Sequence, residues 1–426
     1  MAARHGRQRR PSAWRALGKG LAASVAVLLV STLGIAAYAV ADLYDDIQEP
    51  PTFTLESEEV LAEIPDIGVM DGGLTFFLAG IDKRPADGSF GDPEEDSAVL
   101  NDVNLLVHIA QDHSHVEVVS FPRDLLVSVP ECADPNGAAG ETLSSMSSVK
   151  INTVFQHGGL GCVAETVEEL VGIPIPLAGV VEFAGVAAIS EAIGGVEVCL
   201  VDPIDDPWSG LNLSAGTHSI SGLTALAFLR TRHAVGDGSD LGRISSQQAF
   251  MASLMRKVQA EGVLDDPIRM YSIAKAALAN MQLSSYLQDP ATLISIARTV
   301  QDLDLSKIVF VQYPTRYTED LSAVVPSDSA EAINAALQAD APIELSATAT
   351  DHASYGTAPE TPAPENTAGD APPDGAPTDG APTDGAPAVD ASGAPATDAP
   401  MDPPPLPDDV TGQAGDEVRC STANTG

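Results

Sequence analysis

Between Leu21 and Ala41 the chain reads LAASVAVLLVSTLGIAAYAVA, 21 residues without a charge. A helix of that length spans roughly 30 Å of hydrocarbon, so the stretch is expected to cross a membrane. Arg4, Arg7, Arg9, Arg10, Arg15 and Lys19 precede it, and the acidic DLYDDIQE follows. Basic flanks stay in the cytoplasm, which places everything after the span outside. The small residues of AYAVAD could form a cleavage site, but the apolar run exceeds a signal-peptide core of about 7–15 residues. An uncleaved anchor is therefore expected. Residues 1–20 read as a cytoplasmic segment, 21–41 as the anchor, 42–70 as a stalk, 71–345 as an extracytoplasmic globular domain and 346–426 as a disordered acidic tail.

The whole chain carries 60 Asp and Glu against 21 Lys and Arg, a net charge of −39. Duplex binding needs a basic surface to displace counterions, so no nucleic acid is expected as a partner. Much of the tail is Ala, Pro, Asp, Thr and Gly, with APTDG twice in tandem at 376–385. Such a composition buries too little apolar surface to offset the entropy of ordering it. The block DDVTGQAGDEVRCS around Cys420 reads as a frayed end, with a small docking element as the alternative. Cys132, Cys162, Cys199 and Cys420 form no CxxC pair, and outside the membrane they are expected to be oxidised. Cys132 with Cys162 is the preferred bridge because both flank segments that read as neighbouring loops; four cysteines still allow three pairings.

Within the globular region LTFFLAGID, VNLLVHIA and SHVEVVSFP read as strands, the last two joined by the polar turn QDHS. VVEFAGVAAISEAIGG reads as a helix ended by Gly194 and Gly195, followed by the strand VEVCL. SGLTALAFLR forms a further helix with Ser219 or Ser221 as its cap, and a longer one starts near Ile244. DLSKIVFVQYP supplies the last buried strand. Strands and helices alternate, which indicates the α/β class.

Positive charge is scarce in this region, and half of it falls in short motifs: Lys83 with Arg84, Arg123, Lys150, and Arg230, Arg232 and Arg243. Lys83 and Arg123 follow strands at their C-terminal ends, where open α/β sheets collect ligands. If the chain is extended after SGLTALAFLR, Arg230 and Arg232 point the same way as a fork. Arg243 and Gln247 share one face of a helix whose N-terminal amides favour an anion. Guanidinium groups bind phosphate oxygens bidentately and stay charged, so a pyrophosphate is the expected target. Asp82 and Asp102, each at a strand boundary, are candidates to hold Mg²⁺, which takes one or two carboxylates plus phosphate oxygens. Asp240 would orient an arginine or assist the metal. His157 and His233 are possible acid/base groups, but no nucleophile pairs with either. No nucleophile-elbow, zinc-protease or Walker motif occurs.

FFLAGIDKR, NDVNLLVHI, SFPRDLLVSVP, KINTVFQHGG, IGGVEVCL and SGLTALAFLRTRHAVGDGSDLGRISSQQ occur in this order between about residues 74 and 260. In order and spacing they resemble the LytR-CpsA-Psr family of cell-envelope proteins. The resemblance implies an α-β-α sandwich with a central mixed β-sheet flanked by helices. It also implies a Mg²⁺-dependent phosphotransferase that moves a glycopolymer from a polyprenyl-pyrophosphate carrier onto a hydroxyl of peptidoglycan, at the cell membrane. By that resemblance Asp82 and Asp102 hold the metal, while Arg123, Arg230, Arg232 and Arg243 clamp the pyrophosphate with Asp240 and Gln247 nearby. Two departures stand out: LNDV where many relatives carry Arg-Ser-Asp-Thr, and Ser246 where they carry an arginine. Arg84 and Lys150 join the phosphate-binding set on this reading, Lys83 or Lys150 replacing the missing contacts. Hydrolysis of the carrier pyrophosphate and a non-catalytic envelope regulator that binds lipid are the competing expectations.

Overall fold

A computed structural model describes residue 38, residues 73–83, residues 99–346 apart from 139, 261, 263–265 and 289, and residues 349, 355–356, 407 and 409–424. The expected anchor, Tyr38 apart, the stalk and Arg84 lie outside these. Among the described residues no helix is long and apolar enough to cross a membrane.

The elements in chain order are β1 (Leu74–Ile81), β2 (Asn101–Ile109), β3 (Val116–Ser120), β4 (Leu126–Val129), β5 (Met146–Lys150), α1 (Val154–Val171), β6 (Leu177–Glu182), α2 (Phe183–Ala192), β7 (Val196–Leu200), β8 (Ile204–Asp206), β9 (Leu211–Leu213) and β10 (Gly216–Ile220). There follow α3 (Gly222–Arg230), α4 (Asp240–Ala260), α5 (Pro267–Asn280), β11 (Met281–Leu283), α6 (Pro290–Asp302), β12 (Ile308–Gln312), β13 (Thr315–Tyr317), β14 (Val324–Pro326), α7 (Ala330–Gln338), β15 (Gly412–Ala414) and β16 (Cys420–Ser421).

Seven strands form the central sheet in the order β11-β6-β1-β2-β3-β12-β15. It is mixed: β1 runs parallel to β6 and β3 to β12, while β2 is antiparallel to both its neighbours. Alternation decides the two faces. Phe77, Leu106 and Val119 face a core shared with Val163 and Val167 of α1 and Ile333 and Leu337 of α7. Ile109, Val118 and Phe310 face the opposite core, with Ala252 of α4 and Leu278 of α5. Each such side chain contributes about 1.5–3 kcal/mol on burial, and the result is helices on both faces of a mixed sheet.

Close to the end of α4 that carries Arg243 lies a four-stranded sheet in the order β10, β7, β16 and the stretch Tyr355–Gly356. Two strands here, Tyr355–Gly356 and β16, come from the segment expected to be a disordered tail. β15 extends the central sheet beyond β12, so β12 is not its last strand. β16 runs parallel to β7 and is bonded to it by the Cys199–Cys420 disulfide. The expectation of a tail throughout 346–426 is thereby corrected for residues 409–424. Their backbone amides and carbonyls find partners at open sheet edges, which local sequence pattern does not encode. Cys132 and Cys162 form the second disulfide, as preferred from sequence.

One carboxyl enters the first core. Glu117 of β3 is fully buried, with His115 Nδ1 at 3.3 Å from its Oε1. Burial pushes its carboxyl up to about 8, more than the Ile343 amide that donates to it pulls it down. Below that pH the folded state holds a proton that the unfolded chain releases near 4.5, so stability falls as pH rises between the two values. Between about pH 6 and pH 8 this group removes about 2 kcal/mol. Chemical denaturation across that range should show the loss in the natural protein and a flatter profile in Glu117→Gln. Parallel profiles would refute the assignment.

Candidate active site

The site forms where β2, the loop after β3 and the start of α4 meet. Asp102 is the second residue of β2, and Arg123 lies just past β3. Arg123 Nη1 donates to Asp102 Oδ1 at 2.9 Å, and the Arg123 backbone amide donates to Asp240 Oδ2 at 3.1 Å. Asp240 opens α4, four residues before the start expected from sequence, and an acidic group there suits the helix dipole. Its Oδ1 lies 2.6 Å from Arg243 Nη2, which donates to the backbone carbonyl of Asp102 at 2.7 Å. A closed ring results: Asp102, Arg123, Asp240, Arg243 and back to Asp102. Burial alone would weaken the charge on Arg123, but Asp102 and Asp240 outweigh it and hold its pKa above the usual value.

A cavity of about 270 Å³ opens beside this ring, lined by Arg123, Asp124, Lys150, Arg232 and Asp240 on one side and by Tyr317 and Ser322 on the other. Lys150 Nζ donates to Asp124 Oδ1 at 2.7 Å. Asp124 escaped the reading of the sequence, although its position beside Arg123 was the available signal. Nε of Arg123, Arg232 and Arg243 is in each case buried without a hydrogen-bond partner among the described residues. Arg123 Nε lies 3.7 Å from Asp240 Oδ1 and 3.8 Å from Asp124 Oδ2, and Arg243 is not among the residues that line the cavity, so Arg123, Arg232 and Lys150 are the cations that front it. A phosphate group suits such a set of cations.

A second cavity, of about 280 Å³, lies on the other side of the Arg230–Arg232 stretch. Leu78, Leu105, Val181, Ile189, Phe250 and Leu254 are among its apolar walls, and Arg230 and Gln247 bring the charged and amide groups. The expected fork is therefore split. Arg230 is still the last residue of α3, and Thr231 turns the chain so that Arg232 lines the polar cavity instead. Gln247 sits one turn beyond Arg243 and donates to the Leu229 carbonyl at 3.0 Å, which ties α4 to the end of α3 just before Arg230.

Asp82 follows β1 and donates its amide to the Leu100 carbonyl at 3.3 Å, which puts it at the strand end paired with the start of β2. Lys83 is held by Glu182 at 2.8 Å. Ser246, buried in α4, shares a hydrogen bond of 3.0 Å with Ser421 of β16. His157 lies beside the kink of α1 at Gly158 and Gly159, and His233 packs near Trp208 with ring centroids 6.2 Å apart. Neither histidine lines either of these two cavities.

Comparison with known proteins gives a consistent picture. The cell wall biosynthesis protein LcpA of Corynebacterium glutamicum is 28% identical over 275 residues, covering 59% of this chain and 52% of that protein. The probable cell wall biosynthesis protein LcpB of the same organism is 32% identical over 38% of this chain and 35% of its own length. The polyisoprenyl-teichoic acid–peptidoglycan teichoic acid transferase TagT of Bacillus subtilis is 25% identical, over 56% of this chain and 69% of its own. The chain thus spans about half or less of the Corynebacterium relatives it matches. Among solved structures, protein gbs0355 from Streptococcus agalactiae superposes with a TM-score of 0.50 at 20% identity, over 63% of this chain and 88% of that one, which supports the fold alone. Residues 48–339 match the model of the LytR_cpsA_psr family, and the chain belongs to that family.

Proposed function

We propose that this protein is a phosphotransferase that joins a glycopolymer, carried on a polyprenyl pyrophosphate, to a hydroxyl of peptidoglycan. The observation that carries the reading is a pair of cavities lined from the same short stretch of chain: an apolar slot that includes Arg230 and Gln247, and a polar cleft that includes Arg123, Lys150 and Arg232. A polyprenyl pyrophosphate has the same two halves in the same order. The names of TagT and LcpA support this class of reaction. Two disulfides fit the oxidising side of a membrane, where such a reaction takes place.

In the reaction the acceptor hydroxyl oxygen forms a new bond to the sugar-bearing phosphorus, the bond to the bridging pyrophosphate oxygen breaks, and polyprenyl monophosphate leaves, the hydroxyl proton passing to the leaving phosphate or to water. Arg123, Arg232 and Arg243 neutralise the charge that collects on the phosphate oxygens, the electrostatic part of catalysis. Asp240 positions Arg123 and Arg243, through its bond to the amide of the first and its contact with the guanidinium of the second. Lys150 and Arg230 guard the two ends of the headgroup.

Asp82 and Asp102 would be the residues to hold Mg²⁺. Both are hard oxygen donors at adjacent strand ends, and Asp102 gives one oxygen to Arg123. No group of three such ligands occurs among the described residues, so the phosphate oxygens would complete the shell. When bound, the ion supplies further charge neutralisation at the pyrophosphate.

Incubating the full chain with a lipid-pyrophosphate oligosaccharide, peptidoglycan and Mg²⁺ tests the reading. A phosphodiester-joined product with release of polyprenyl monophosphate is expected. Release of free phosphorylated oligosaccharide with water as acceptor would overturn it. The slot makes its own prediction: Val181→Trp fills the apolar cavity and should raise KM for a long-chain carrier by about 10–100-fold, the equivalent of about 1.5–3 kcal/mol of lost apolar burial. KM for a short, water-soluble carrier should stay unchanged. An equal rise for both carriers would show that the chain does not lie there.

A further inference from the structure

Trp208 is 84% exposed, the most exposed large apolar side chain among the described residues. Its position is built, not incidental. It sits in the tight turn between β8 and β9, where Asp206, itself buried, accepts the Trp208 amide at 3.0 Å through its carboxylate and the Gly210 amide at 2.9 Å through its carbonyl. Gly210 adopts φ +77°, which favours glycine there. Ser209 Oγ is hydrogen-bonded at 2.6 Å to Thr231 Oγ1, a fully buried group whose hydroxyl in turn donates to the Ala227 carbonyl. The turn is thereby fastened to the residue between Arg230 and Arg232. The indole then packs near His233, which follows Arg232 directly.

We propose that the exposed face of Trp208 is a platform for a pyranose ring of the wall glycan, on the hairpin fastened to the residue before Arg232. The inference rests on the transferase reading, in which a sugar must lie close to the phosphate that Arg232 holds. Pyranose rings present a face of C–H groups that packs on an aromatic ring, while their rim of hydroxyls needs hydrogen-bond acceptors. The hairpin provides both. Asp205 and Asn212, a cross-strand pair on β8 and β9, are exposed and joined side chain to side chain at 3.3 Å. Asp202 is exposed just before β8, and Asp237 lies in the loop after Arg232. These carboxylates accept from hydroxyls and repel an anionic lipid surface, which argues for a sugar over a membrane.

The chain has two tryptophans, Trp14 and Trp208, so in a full-length Trp14→Phe protein the emission comes from Trp208 alone. Three probes separate the ligands: N-acetylglucosamine–N-acetylmuramic acid fragments of peptidoglycan, the lipid-pyrophosphate oligosaccharide, and phosphatidylglycerol vesicles. A saturable blue shift with protection from acrylamide is expected for at least one saccharide. The saccharide that causes it identifies the acceptor or the donor as the source. Trp208→Ala should raise KM for that saccharide about tenfold and leave kcat within about twofold, and Trp208→Phe should recover most of the loss. A response to vesicles alone, or no response to either saccharide while the carrier pyrophosphate is still consumed, would overturn the platform. A glycan shift without any joined product would overturn the transferase reading and leave the platform standing.

Discussion

On the proposed transferase function, Arg123→Ala is expected to lower the rate of glycopolymer transfer by about a thousandfold, equivalent to about 4 kcal/mol of transition-state stabilisation. Two losses combine. A guanidinium that lines the polar cavity disappears, and Asp102 loses its 2.9 Å partner and is left as an uncompensated negative charge at the proposed phosphate site. Arg123→Lys keeps the charge but not the planar fork, and should recover only part of the rate. Steady-state transfer assays on both variants, with denaturation curves to set folding apart from chemistry, provide the measurement. Full activity in folded Arg123→Ala would remove the guanidinium ring from the mechanism.

Cys420→Ser is the second large effect. Its bridge to Cys199 spans 221 residues of sequence, against 30 for Cys132–Cys162. The chain-entropy treatment gives about 5 kcal/mol for the longer closure and about 4 kcal/mol for the shorter. Cys420→Ser also loosens β16, whose neighbours brace the site: the Thr422 carbonyl accepts the Gly236 amide at 2.9 Å, and the Asn424 amide donates to the Ala234 carbonyl at 3.0 Å. Both partners lie in the loop that carries Arg232. Equilibrium unfolding should therefore rank Cys420→Ser below Cys132→Ser in stability, and transfer by Cys420→Ser should be impaired even where it is folded. The reverse order of stability would contradict the closure argument.

The elements that were legible in sequence are those whose pattern is local. β1, β2 and β3 are apolar runs bounded by polar turns, and Gly194 and Gly195 end the segment that holds α2 at φ +83° and +84°. Basic residues were legible as a set because an acidic chain leaves few of them. Their grouping was not. Arg230 and Arg232 look like a fork on paper, but the first still belongs to α3 and the two line different cavities. Residues 409–424 were misread for a related reason. TGQAGDEVRCS has no alternation of its own, and its strands exist because β12 and β7 offer open edges to them. Asp124 went unnoticed because it is one carboxylate among 60, and beyond its place next to Arg123 it is distinguished only in space, by its contact with Lys150 and its share of the polar cavity.

Tyr355–Gly356 and Cys420–Ser421 are neighbours in one small sheet, although more than sixty residues of sequence separate them. The chain between them therefore starts and ends at the same small sheet, a closed circuit and not a free end. A protease that cuts inside this circuit yields two fragments that stay covalently joined through Cys199 and Cys420, and they part only when a reductant opens that bond.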